Sequence, residues 1–279
     1  MDKVLSMIKK TEIMNENKLG VAYNLFTGFE LLEHSINSIR SSVDYICVVF
    51  SLTSTKGKAI EYDFMPELIK LKTKGLINDI VQYIPNTTLS TKSNEMLQRN
   101  LGLNICKKNQ CKYFMTMDVD ELYVKEEFDK AKEIVITNGY DSSACQMLSY
   151  YKYPNILIDP LEEYYVPFIY KINESDSFNP KEFPVIVDQT RICTLGKNIL
   201  FKRSELQMHH MTYVRTSIRE KLEHSATYSD EEKINNIEKH YKNWNPYIKE
   251  SKILTFHGFF NFKFLENPYF NFKISYKTR

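Results

Sequence analysis

Apolar residues fall along the first 125 positions in two alternating rhythms. Leu19-Gly20-Val21-Ala22-Tyr23-Asn24 is short and mostly apolar and reads as a strand. Leu32, Ile36, Ile39 and Val43 then recur at helical spacing, which predicts a helix over about 29–41. Tyr45–Phe50 is a continuous β-branched and aromatic run, the pattern of a strand buried on both faces. A polar loop over 51–63 leads to a helix over 66–74, with Gly75 as its stop, and a strand over 80–84 ends before Pro85. Leu97, Leu101 and Ile105 mark a helix over 94–107, and Tyr113–Met117 is a fourth strand that runs into Asp118-Val119-Asp120-Glu121.

Strands alternating with helices predict parallel pairing through right-handed crossovers, with ligands outside the carboxyl ends of the strands. That rule points at Tyr23-Asn24, Ser51 and Asp118–Glu121. Beyond a helix over 126–137 the rhythm changes. Segments 143–153, 164–171, 184–187 and 198–202 read as strands with no helices between them, hence an antiparallel extension. Two helices follow, over 214–225 and 230–244, and Ile253–Phe272 carries seven phenylalanines in twenty residues.

Composition narrows the class. Of 279 residues, 43% are hydrophobic and 26% charged, enough for a packed core. A net charge of +2 argues against nucleic acid as a partner. No apolar run approaches the ~20 residues of a membrane span, and residues 1–14 lack the apolar stretch of a secretory signal. Five cysteines without a C-x-x-C pair suit free buried thiols in the cytoplasm. There are 30 lysines but only 7 arginines, which makes each arginine worth inspecting.

Asp118-x-Asp120-Glu121 is the densest chemical signal. Carboxylates crowded at a strand end need a counter-charge, and a divalent cation with oxygen ligands supplies one. Asp118-x-x-Glu121 equally has the form of a helix-capping box. Of His209 and His210, an extended chain lets only one face a given site. Arg99 offers a fork for phosphate or an i,i+4 pair with Glu95. Arg215 and Arg219, near Lys221 and His224, suit a diphosphate or a solvated basic face. Asp188, beside Arg191 at the end of the 184–187 segment, suits a general base or a turn. The tyrosines at 150, 151, 153, 164, 165 and 170 suit sugar stacking or the rim of a core.

Taken together, the ordered set Ala22-Tyr23-Asn24, Glu30–Arg40, Val43–Ile46, Asn94-Glu95…Arg99-Asn100, Phe114…Met117–Tyr123 and His209-His210-Met211 resembles the GT-A-type, family-2-like nucleotide-sugar glycosyltransferases found in phages and large DNA viruses, over about residues 19–225. The resemblance implies an α/β, Rossmann-like GT-A fold: a mostly parallel N-terminal sheet, an antiparallel C-terminal extension and C-terminal helices. It implies one catalytic domain over 1–279, with a nucleotide-sugar half over 18–125, an acceptor and metal half over 126–225, and a helix and aromatic tail over 226–279. The implied activity is transfer of a hexose from a nucleotide-diphosphate donor, a UDP-sugar, to a hydroxyl of a glycan or other acceptor, with inversion. Mn²⁺ or Mg²⁺ is the implied cofactor, held by Asp118, Asp120 and His210, with His209 as the substitute. Ala22, Tyr23, Asn24, Arg99, Asn100, Asp118 and Arg215 are implied to hold the nucleotide sugar. Asp188, with Glu182 as second choice, is the candidate base, although the chain lacks the Glu-Asp pair that usually marks it. The aromatic tail is a candidate homo-oligomer interface. Two other readings compete: a metal-dependent phosphoryl or nucleotidyl enzyme, and a non-catalytic binding module of GT-A-like fold.

Overall fold

A computed structural model describes residues 17–60, 62–224 and 230–274. Four parallel strands form the N-terminal half: β1 (Leu19–Leu25), β2 (Tyr45–Phe50), β3 (Asp79–Gln82) and β4 (Tyr113–Asp118), in the order β3-β2-β1-β4. Between them run α1 (Phe29–Ile39), α2 (Met65–Thr73) and α3 (Thr91–Lys108). Every residue of β2 is buried, as its unbroken apolar run requires. Asp44 accepts a 2.8 Å hydrogen bond from the Leu19 amide where β1 begins.

The two sheet faces have separate cores. Leu32, Ile36 and Ile39 of α1 and Leu68 and Leu71 of α2 pack against Val21, Tyr23, Ile46 and Val48. On the other face Leu103 and Cys106 of α3 meet Ala22, Cys47 and Val49. Gly102 makes that approach possible, because a Cβ there would run into the Cβ of Ala22.

A two-residue strand, β5 (Glu121–Leu122), and α4 (Lys125–Thr137) follow β4. The sheet then continues through β6 (Ser142–Tyr151), β7 (Tyr153–Asp159) and β8 (Tyr165–Lys171) in the order β4-β8-β6-β7, with antiparallel pairing throughout. β9 (Asn198–Leu200) and β10 (Gln207–Tyr213) pair with β6 in parallel, and β10 also pairs with β5. α5 (Ile218–His224) and α6 (Glu231–Asn243) pack together, and the hairpin β11 (Ile253–Thr255)–β12 (Gly258–Phe264) extends the sheet beyond β7. The result is a mixed α/β fold: a Rossmann-like parallel half, as the alternating elements predict, and an extension that is antiparallel except where β9 and β10 join β6 in parallel, which the expected all-antiparallel extension did not include.

Four expectations need correction. The strand expected over 143–153 stops at Tyr151, because Lys152 takes a left-handed conformation (φ 60°) and reverses the chain into β7, a strand not expected there. Segment 184–187 is not a strand: Pro184 offers no amide donor, and Ile186 is 79% exposed. The helix expected from 214 begins at Ile218, so Arg215 precedes it. Asp118-x-x-Glu121 caps no helix, since α4 begins only at Lys125 after Val124. The polar segment 1–16 lies outside the described residues.

The aromatic tail divides. Leu265, Phe270, Phe272 and Ile274 pack on this chain's own Leu31, Leu122, Tyr150 and Met211. Phe259, Phe264 and Tyr247 stay exposed. Among the described residues no helix is long and apolar enough to cross a membrane.

Candidate functional site

The parallel strands deliver β1 and β4 side by side, with Asn24 in register with Asp118 at their carboxyl ends. Alternation along β4 puts Thr116 and Asp118 on one face. Thr116 Oγ1 accepts from Asn24 Nδ2 at 3.0 Å and from Arg99 Nη1 at 2.9 Å. One hydroxyl thus fixes the end of β1 and the only arginine of α3.

Asp118 is partly exposed and is flanked by two guanidinium groups. Arg191 Nη2 lies 2.5 Å from its Oδ2, and Arg99 Nη2 lies 3.4 Å from its Oδ1. Arg191 also pairs with Glu121, whose Oε2 accepts the Asp118 amide at 3.2 Å. Burial pushes the Asp118 carboxyl up, but Arg191 and Arg99 outweigh it and hold the group down at about 2. Glu121 goes the other way: burial raises it against the opposing pull of Arg191. Glu95 is likewise raised by burial, with Arg99 opposing and Asp188 and Asp118 reinforcing.

Asp120 faces a second cationic group. It is 1% exposed and pairs with Arg215, with Lys221 Nζ at 3.1 Å and with His210 Nε2 at 3.5 Å. Burial raises this carboxyl, and Lys221, Arg215 and His210 overcome that to hold it well below the usual carboxylate range. The β5–β10 pairing makes this contact, since His210 stands opposite Glu121 and the Met211 amide donates to the Asp120 carbonyl at 2.7 Å.

His209 points the other way, as strand alternation demands. Its Nδ1 meets the Tyr150 hydroxyl at 2.7 Å, Tyr269 and Phe270 pack on the ring, and burial pushes its pKa down to about 3, so the imidazole is neutral.

The structure brings Asn24, Arg99, Asp118, Asp120, Asp188, His210 and Arg215 to one end of the sheet. Asp188 is half-buried, accepts the Thr190 amide at 2.8 Å, and acts electrostatically on Glu95, Arg191 and Tyr164. Burial, reinforced by Asp188, raises the Tyr164 hydroxyl to about 12.

Ala22 and Tyr23 are elsewhere. Both are fully buried, Ala22 under α3 and Tyr23 under α1 with its hydroxyl 3.1 Å from Ser35, so neither lines a pocket; a central strand covered on both faces leaves only its end accessible. Asn100 grips the backbone of Phe178 through both side-chain atoms (3.0 and 2.7 Å), which anchors the 173–183 loop rather than presenting the amide to a ligand. Arg219 is engaged by Glu223, Glu231 and Glu238 and ties α5 to α6. Glu182 is exposed on a shallow concavity of ≈ 670 Å³ lined by the 180–187 segment and Gln189, and Asp188 is not part of that lining. Of the tyrosines, Tyr150, Tyr151 and Tyr170 are core residues, and Tyr164 lies at the site's edge.

The expected site left out Arg191, Lys221, Glu95 and Thr116. The scarcity of arginine was the available signal. Arg99, Arg191 and Arg215 are the three buried arginines among the described residues, and all three face the Asp118–Glu121 segment.

The metal implied for this segment requires carboxylate oxygens converging on one point. Instead, both Asp118 oxygens face guanidinium groups, and Asp120 Oδ2 faces two cationic side chains and an imidazole. Among the described residues no three His, Cys, Asp or Glu side chains are grouped to hold an ion. At the same time Arg215 Nε and Nη1, Arg191 Nη1 and Arg99 Nε are buried without a hydrogen-bond partner. As arranged, the residues do not fit a divalent cation; they offer unused donors.

No protein-family model matches the chain, and no curated protein matches it. Among solved structures, S. aureus TarS aligns over 47% of this chain and 22% of its own at 16% identity, with a TM-score of 0.35. Its 1–349 fragment in complex with UDP-GlcNAc aligns over the same 47%, and 35% of that fragment, with the same identity and TM-score. GalNAc-T7 with UDP, GalNAc and Mn²⁺ aligns over 48% of this chain and 23% of its own at 12% identity, TM-score 0.35. This chain therefore spans roughly a quarter to a third of the length of those structures.

Proposed function

We propose that this chain is a glycosyltransferase that moves a hexosyl group from a nucleoside-diphosphate sugar, a UDP-sugar, to an acceptor hydroxyl with inversion. One observation carries the reading. At the carboxyl end of the parallel strands, where ligands bind in sheets of this kind, three carboxylates and four basic side chains converge, and buried guanidinium nitrogens there still lack acceptors. A diphosphate supplies such acceptors, and departure of a nucleoside diphosphate builds negative charge that arginine and lysine stabilise.

Asn24, whose Oδ1 has no partner, and Thr116 sit where the nucleoside end meets β1. Asp118 is the partly exposed carboxylate at the strand end and hydrogen-bonds a ribose hydroxyl. Asp188 takes the proton of the acceptor hydroxyl as its oxygen attacks the anomeric carbon and the bond to the diphosphate breaks. Asn100 acts indirectly, by holding Phe178 and the loop that leads to Asp188.

A thermal-shift panel of UDP-, GDP- and CDP-sugars and ATP, with and without Mn²⁺, tests the reading. A donor present at 100 times its dissociation constant adds about 2.7 kcal/mol of stability, a shift of a few degrees for a chain of this size. The expected outcome is a shift for one nucleotide-sugar class and none for ATP, with Asp188→Asn keeping the shift but losing turnover at least a hundredfold. A shift with ATP alone would point to a phosphoryl enzyme. Silence throughout would leave a binding module.

A further inference from the structure

We infer that this site neutralises the donor's diphosphate with its own cations, Arg215, Lys221 and Arg191, and not through a divalent metal bridging it to Asp118 and Asp120. The inference rests on the transferase reading and departs from it at one point, the source of positive charge.

The geometry argues it in three steps. First, a bridging metal needs the oxygens of Asp118 and Asp120, and these face like charges to the metal. Asp118 Oδ2 and Oδ1 face Arg191 and Arg99, and Asp120 Oδ2 faces Arg215, Lys221 and His210. An ion on either carboxylate would lie against a guanidinium or ammonium group, and these are embedded: Arg215 and Arg191 are 3% and 5% exposed. Second, each of those arginines keeps buried donors in reserve. Arg215 spends one nitrogen, Nη2, on Asp120 and leaves Nε and Nη1 unpartnered; Arg191 spends Nη2 on Asp118 and Glu121 and leaves Nη1 unpartnered. A buried charged donor without an acceptor is costly, and a phosphate oxygen removes that cost. Third, the cations are fixed. Asp120 anchors Arg215 and Lys221, and the absence of a side chain at Gly28 lets Arg215 lie against the amino end of α1, where the helix dipole also favours an anion.

In this arrangement the two aspartates position cations instead of ligating a metal. Asp120, almost fully buried, holds Arg215 and Lys221 in place. Glu95 and Asp188 stand on the Arg99–Arg191 side and complete its balance of charge.

Isothermal titration of the full chain with UDP, GDP and CDP, and with the matching nucleoside, separates the outcomes. Each titration is run once in EDTA and once in Mn²⁺. The expected result is a nucleoside diphosphate that binds with dissociation constants within threefold of each other in the two buffers and at least tenfold more tightly than its nucleoside. Lys221→Gln, a partly exposed position that leaves the core intact, should then weaken the diphosphate at least tenfold in EDTA and the nucleoside less than twofold. Arg215→Lys should do the same if it folds. Binding at least tenfold tighter in Mn²⁺ overturns the inference while the transferase reading stands. So does an unchanged affinity in Lys221→Gln. If no nucleotide binds in either buffer, both readings fall together.

Discussion

The guanidinium of Arg215 occupies the space that a Cβ on residue 28 would need. Gly28 stands at the amino end of α1 with φ 78°, and it lets Arg215 reach Asp120 from the loop between β10 and α5. The two residues are far apart in sequence, and each is meaningful only with the other.

Gly28→Ala therefore has two effects. Forcing alanine into the left-handed region costs about 1 kcal/mol, and the new methyl displaces Arg215 from Asp120. The expected outcome is a lower unfolding midpoint in urea together with at least tenfold weaker nucleoside-diphosphate binding. Gly75→Ala is the control: its φ is 73°, but nothing lies within 4 Å of the added Cβ. It should lose similar stability and keep its affinity. Equal affinity losses in both variants would show that strain alone is responsible.

Arg191 bridges Asp118 and the buried Glu121. Lysine keeps the charge but presents one compact head without the planar fork. Arg191→Lys should leave Glu121 short of a partner and reduce stability by about 1.5–3 kcal/mol, the range for hydrogen bonds to charged groups. Equilibrium denaturation at neutral pH measures it. A loss below about 0.5 kcal/mol would mean that Glu121 is served equally well by one ammonium.

The acid limb of stability has a definite sign. Asp118 has its folded pKa at about 2, below the ordinary 3.8, and Asp120 lies well below it too, so the native state favours their ionised forms. Their stabilisation is complete above the unfolded value and is lost as pH falls from about 4 toward 2. Glu121 and Glu95, raised by burial, have the opposite sign and regain stability as they protonate. Asp120→Asn removes one depressed group, so the variant should be less stable at pH 7 yet lose less between pH 4 and 2. Denaturation midpoints at pH 7, 4 and 3 test this; parallel curves would exclude Asp120 as a titrating contributor.

The parallel half was legible because it is local. Each strand and helix up to Asp118 follows from periodicity within its own ten to twenty residues, and β2 needed nothing more than its unbroken apolar run. The antiparallel half was less so. Lys152 reverses the chain in a conformation that few non-glycine residues adopt, and Pro184–Val187 has a strand's composition but forms no strand among the described residues, although the Tyr165 amide donates to the Ile186 carbonyl at 3.3 Å. The acidic motif was visible, but its counter-charges were not. Arg191 lies 73 residues from Asp118 and Arg215 lies 95 from Asp120, and only folding shows that guanidinium groups occupy the place where spacing and resemblance had suggested an ion.

Lys152 offers a test remote from the site. Its Nζ donates to the carbonyls of Tyr241 and Trp244 at 2.9 and 3.2 Å, and so supplies a side-chain cap to the carboxyl end of α6. The same helix buries Ile234, Ile237 and Tyr241 against Tyr151 and Ile253. Lys152→Met keeps the length of the side chain and the strain of its backbone, but leaves those carbonyls without their donor. The expected cost is about 1–3 kcal/mol, felt locally. Amide exchange should quicken across 231–244, while β1, β2 and β4 exchange as before. Lys152→Asn, which tolerates the left-handed conformation better but is too short to reach the helix, should behave like Lys152→Met if the cap is what matters, and should be the more stable of the two if backbone strain dominates.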